Sequence, residues 1–135
     1  MALRLEKNWG AWTLDFRPDF TAAESGLDAF INWNKDFIGK EASLIEKKQG
    51  IKKKLVTMTI DTKDIDVTND EAILKDNKCV GYITSGGYAH HVKKSMALGY
   101  VPEKLSKHET ILNVQINGKL YSAHLTDRPL YDSNG

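Results

Sequence analysis

From residue 55 to residue 125, short β-prone runs alternate with turn signals, and this rhythm constrains the chain more than any other feature of its sequence. Leu55-Val56-Thr57-Met58-Thr59-Ile60 alternates and is rich in β-branched residues, the pattern of a strand with one face buried. Further strands are expected at 72–75, 79–84, 96–101, 110–116 and 120–125, separated by Asp76-Asn77, Ser85-Gly86-Gly87, Pro102 and Asn117-Gly118. Asn117-Gly118 is the sharpest of these breaks, because both residues tolerate the positive φ that a tight hairpin demands. Six short strands at this spacing favour a closed antiparallel barrel over an open sheet, since closure removes exposed edges.

Upstream of Gly50 the chain reads differently. Residues 40–49 set Ala42, Leu44 and Ile45 among strong helix formers, so a helix is expected there, ending on Gly50. Lys47 and Lys48 in its last turn suit the negative end of the helix dipole. Leu3, Leu5, Trp9 and Trp12 fit a short first helix with Gly10 as its stop. From 15 to 23 the text is irregular: Arg17-Pro18-Asp19 disfavours helix and Thr21 offers a cap. The stretch 27–33 reads equally as a helical turn or a strand. The expected class is α+β, short helical segments followed by a six-stranded antiparallel β-barrel.

With 135 residues, 41% of them hydrophobic, the chain can bury one ordinary core but hardly two. Nineteen Lys and Arg against eighteen Asp and Glu leave a net charge of +1, so no global field draws it to nucleic acid or an anionic membrane. The single cysteine, Cys79, has no partner within the chain, which fits a reducing, cytoplasmic home. No secretory signal and no apolar run of membrane-spanning length is visible.

By spacing alone no catalytic machine is complete, and no phosphate loop, dinucleotide fingerprint or metal cluster is present in the sequence. Adjacent His90 and His91 point in different directions and lack a second ligand pair, so they read as solvent-facing loop histidines. Ser85-Gly86-Gly87 reads as a connecting turn rather than an anion cradle. Glu6, near Trp9 and Trp12, carries a carboxylate able to accept two parallel hydrogen bonds from a planar heterocycle that the aromatics could wall. An exposed helix glutamate beside core tryptophans is the commoner state of such residues.

Several stretches, in order, resemble the folate-binding module shared by the glycine-cleavage T-protein and the dimethylglycine and sarcosine dehydrogenases. They are Leu3-Arg4-Leu5-Glu6-Lys7 leading to Trp12; Glu24-Ser25-Gly26-Leu27; Asp36-Phe37-Ile38-Gly39-Lys40; Gly81-Tyr82-Ile83-Thr84-Ser85-Gly86-Gly87; Lys94-Ser95-Met96-Ala97-Leu98-Gly99-Tyr100-Val101; and Pro129-Leu130-Tyr131-Asp132. Each is weak alone; the ordered set is specific and spans nearly the whole chain.

The resemblance implies that residues 1–50 are the C-terminal remnant of a folate-binding domain and that 51–135 form the family's C-terminal barrel. It implies that Glu6 grips the pterin of tetrahydrofolate, with Trp12 beside it. Lys35 stands near where the T-protein carries a folate-holding arginine, as a point charge without bidentate geometry. The implied reaction passes a one-carbon unit from a small amine donor to tetrahydrofolate. The family's catalytic aspartate lies upstream of the segment matching Leu3-Arg4-Leu5-Glu6, so no catalytic residue is expected here, and activity would need an upstream domain or partner chain. Two alternatives stand beside this: a non-catalytic folate-binding or partner-subunit module of the same fold, and part of a folate-dependent sulfonium demethylase.

Overall fold

The computed structural model describes residues 2–108 and 110–134. Six strands close into an antiparallel barrel: β1 (Lys53–Ile60), β2 (Ala72–Lys75), β3 (Lys78–Ala89), β4 (Lys94–Pro102), β5 (Ile111–Ile116) and β6 (Lys119–Thr126). Their order around the barrel is β1-β4-β3-β2-β5-β6, and β6 pairs back onto β1. The α+β architecture expected from the alternation is therefore the one formed.

Two hairpins follow directly from turn chemistry. Asn117 and Gly118 take φ values of 47° and 77° between the paired residues Ile116 and Lys119. Asp76 and Asn77, at 51° and 60°, do the same between Lys75 and Lys78. Both are the left-handed turns whose twist matches that of the flanking strands.

The barrel core contains Val56, Met58, Ile60, Ile83, Leu112, Val114, Ile116, Ala123 and Leu125, all buried. In β1, β5 and β6 these sit two apart, the period that puts alternate side chains on one face. β4 departs from that rule, because its outward residues are buried too. Ala97 and Val101 belong to the barrel core, whereas Met96 and Leu98 pack outward in a second cluster with Leu5 and Ala89. A strand buried on both faces reads as an unbroken apolar run, and the cover here is the amino-terminal segment.

That segment begins with helix α1 (Ala2–Glu6), which corrects the expectation of a helix running on toward Gly10. The helix ends at Glu6 and the chain reverses through Asn8, whose φ is 57°. Gly10 has a packing reason instead: a Cβ there would lie 2.6 Å from the Phe16 ring. Thr21 and Glu24 form a reciprocal capping box, Glu24 N–H to Thr21 Oγ1 at 3.1 Å and Thr21 N–H to Glu24 Oε2 at 3.2 Å. The undecided stretch 27–33 contains a 3₁₀ turn, Asp28–Phe30. Helix α2 (Lys40–Gln49) ends on Gly50 as expected, the Gly50 N–H donating to the Glu46 carbonyl.

Ser85-Gly86-Gly87 is not a turn. β3 runs straight through it to Ala89, with a register shift between Ile83 and Ser85 where it pairs with β4. The glycine at 86 is required by close approach, since a Cβ would lie 2.6 Å from the Val67 carbonyl oxygen. The glycine-rich signal was therefore one of backbone crowding inside a strand.

Candidate functional site

The strand register of β3 sets up the first of two buried polar sites. Neighbouring residues of a regular strand face opposite ways, but the bulge lets Thr84 and Ser85 both reach the Asp15 carboxylate. Ser85 Oγ donates to Asp15 Oδ2 at 2.8 Å, and the Thr84 hydroxyl donates to Oδ1. The same carboxylate accepts the Ala11 N–H at 2.7 Å and pairs with Arg4 Nη1 at 2.9 Å. Asp15 is fully buried, and with these donors its charge is compensated in place.

Tyr100 extends the network. Its hydroxyl donates to the Asp15 carbonyl at 2.9 Å and lies 2.8 Å from Ser25 Oγ, while its ring stacks on Phe20 with centroids 3.4 Å apart. Burial, reinforced by the nearby Asp15 and Glu24 charges and opposed by the Ser25 hydrogen bond, pushes the phenol up to about 12. The network ties residues 4–25 to β3 and β4, with the Asp15 carboxylate buried away from solvent. Its role is to hold the amino-terminal segment on the barrel.

The second site is Glu6, at the end of α1 and also fully buried. Its Oε1 accepts the His91 N–H at 2.7 Å and the Val92 N–H at 3.5 Å, and its Oε2 lies 2.9 Å from His91 Nδ1. Burial alone would raise its pKa, but these hydrogen bonds outweigh burial and hold it below the ordinary 4.5. The C-terminal tail covers the spot: the Tyr131 N–H donates to the Glu6 carbonyl at 3.2 Å, and the Tyr131 ring lies 4.7 Å from the His91 ring. Lys7 Nζ clamps the tail through the Asp132 carbonyl at 2.8 Å and its carboxylate at 3.3 Å.

Residues 53–132 match the family model for the glycine cleavage T-protein C-terminal barrel domain. The chain belongs to this glycine cleavage T-protein family. Human mitochondrial dimethylglycine dehydrogenase is 42% identical over 131 residues, 96% of this chain and 15% of that protein. An aminomethyltransferase of Synechocystis is 33% identical over 133 residues, covering 97% of this chain and 36% of the relative. The chain thus spans between about a sixth and just over a third of the length of these relatives. In fold it is similar to the glycine cleavage system aminomethyltransferase T of Bartonella henselae, with a TM-score of 0.88 over 98% of this chain and 38% of that one, at 23% identity.

Within this T-protein-type barrel the residues expected to face a folate do not converge. Among the described residues no hydrogen bond, ion pair or ring contact joins Glu6 to Trp12 or Lys35. Trp12 is 76% exposed, packs edge-on against Phe16 and walls a shallow apolar hollow with Phe20 and Leu27. Lys35 is exposed in the turn before α2, where its carbonyl accepts a hydrogen bond from Lys40 Nζ. A larger hollow of about 640 Å³ lies between Ala22, Ile31, Trp33, Ile51 and α2, with Lys47 stacked over Trp33 at 4.8 Å.

Reading the sequence assigned Asp15 no role, took Thr84 and Tyr100 only as parts of family-like stretches, and read Ser85 as part of a connecting turn. The one local hint is Leu14-Asp15-Phe16, a carboxylate between two apolar residues; the bulge that completes the network has no signature in the sequence. His90 and His91 do sit exposed in the 90–93 turn, as expected, but His91 has the further task of binding Glu6. Among the described residues no group of three or more His, Cys, Asp and Glu could hold a metal ion, and no helix is long and apolar enough to cross a membrane.

Proposed function

We propose that this chain contributes one wall, and the pterin-facing Glu6, of a tetrahydrofolate-dependent site that takes a one-carbon unit from a small amine. What supports the reading is the relation to aminomethyltransferases and dimethylglycine dehydrogenases over nearly all of its residues, with Glu6 inside the matching Leu3-Arg4-Leu5-Glu6 stretch. Residues 1–50 would complete a folate-binding domain, 51–135 would close it, and an upstream domain or partner chain would supply the proton-handling group. The reading keeps the protein in the cytoplasm, although the human relative is named as mitochondrial.

The residues of this chain do not by themselves fit a bound pterin. Glu6 has both oxygens engaged, and Trp12 and Lys35 stand elsewhere. Residues 1–135 alone should therefore show no transfer from an aminomethyl donor to tetrahydrofolate, and turnover by this segment would overturn the division of labour. Binding is tested by titrating tetrahydrofolate while following Trp9, Trp12 and Trp33 fluorescence. In the protein extended by its upstream domain, Glu6→Gln should weaken binding about tenfold, because hydrogen bonds to charged groups exceed neutral ones. Unchanged affinity at unchanged fold would remove Glu6 from the site.

A further inference from the structure

The two ends of the described chain meet beside β3 and β4, and α1 is fastened there unequally. It lies against these strands with Leu5 in the cluster of Ala89, Met96 and Leu98. Its middle is tied inward, by Arg4 Nη1 to the buried Asp15 carboxylate at 2.9 Å. Its carboxyl-terminal end is tied outward. The Glu6 carboxylate takes the His91 N–H at 2.7 Å, the Glu6 carbonyl takes the Tyr131 N–H at 3.2 Å, and Lys7 Nζ grips the Asp132 carbonyl at 2.8 Å. The side chains of Lys7, His91, Tyr131 and Asp132 all reach solvent, so water replaces these outer contacts when they break. The Arg4–Asp15 pair, with its carboxylate fully buried, has no such substitute.

We propose that residues 128–134 are a releasable strap over the end of α1. The strap is rooted at Asp127, which lies 3.8 Å from His108 Nε2. Glu6 is the post that it shares with the 90–93 turn: the carbonyl faces the tail and the carboxylate faces the turn. When the tail lifts, the Tyr131 and Lys7 contacts go together and the Tyr131 ring leaves the His91 ring, 4.7 Å away. Water then reaches the Glu6 carboxylate. A carboxylate open to water gains little from protein donors, so the last turn of α1 and the 90–93 turn loosen as one unit. Arg4, Asp15 and the barrel stay in place. The strap stands apart from the function proposed above and holds or fails without it.

The test is native-state hydrogen exchange of the whole chain, read at two amides off the tail. One is Trp9 N–H, which closes the last turn of α1 on the Arg4 carbonyl at 2.8 Å; the other is His91 N–H on the Glu6 carboxylate. In the natural protein the two should open with the same free energy, below that of the β5 amides. Lys7→Met releases the strap from the α1 side and Tyr131→Ala from the tail side, and both side chains reach solvent, so the fold persists. Each variant should speed Trp9 and His91 exchange by one common factor, about threefold for the loss of an exposed tie, and leave the β5 amides unmoved. Unequal opening of the two amides in the natural protein overturns the strap. So does acceleration at one of them without the other, or at neither. An equal acceleration of the β5 amides means that the whole fold has been weakened, and it overturns the strap as well.

Discussion

Helices α1 and α2 divide the first fifty residues into opposite situations. α1 has five residues and buries Leu5 and Glu6 completely, whereas α2 has ten residues and buries none of them. On α2 Leu44 and Ile45 are 39% and 52% exposed. A five-residue helix cannot persist by its own hydrogen bonds, so α1 exists because the outer face of β3 and β4 needs a cover. α2 is built instead from local preference, with glycines at both caps, lysines in the last turn and exposed side-chain ties from Thr21 to Glu46 at 2.9 Å, from Lys40 to the Lys35 carbonyl and from Lys47 to the Trp33 ring. The contrast separates structure imposed by packing from structure written into a short stretch of sequence.

The comparison breaks most easily at Asp15. Asp15→Ala should cost about 3–5 kcal/mol in urea unfolding, because it removes the buried charged acceptor that Arg4, the Ala11 N–H and the Thr84 and Ser85 hydroxyls share. A loss under about 1 kcal/mol would mean that the amino-terminal segment is not held by this network. Leu5→Ala should cost about 2–4 kcal/mol, through the cavity left against Met96 and Leu98. Equal stability of variant and parent would mean that α1 is as loosely held as α2.

Smaller effects sharpen the contrast through pH. The Tyr100 phenol is favoured neutral in the fold, ionising near 12 against an ordinary 10. Its contribution is complete below about pH 10 and is lost as pH rises toward about 12. Tyr100→Phe should flatten that alkaline decline, at a cost of about 1 kcal/mol near neutrality for the lost hydroxyl bonds. Glu6 has the opposite sign: its folded pKa is depressed, so its contribution is present above 4.5 and disappears as acid takes the protein through the lower folded value. Glu6→Gln should reduce the acid sensitivity of unfolding, and an unchanged acid limb would contradict the hydrogen bonding described. The smallest effect belongs to α2, where Ile45→Ala should shift stability by no more than about 0.5 kcal/mol.

The sequence by itself determined the barrel strands, the hairpins at Asp76-Asn77 and Asn117-Gly118, and the helix closing on Gly50. These are settled within a few neighbouring residues, by alternation, by tolerance of positive φ and by helix preference. Family membership was legible as an ordered set of short motifs. Only the tertiary structure decided that Ser85-Gly86-Gly87 continues a strand and that α1 stops at Glu6. It alone joined Asp15 to Thr84 and Ser85, 69 and 70 positions away, and Glu6 to His91, 85 positions away. The physical reason is that a bulge and a buried carboxylate acquire meaning only from the donors that closure of the barrel brings to them, and those donors leave no periodic trace along the chain.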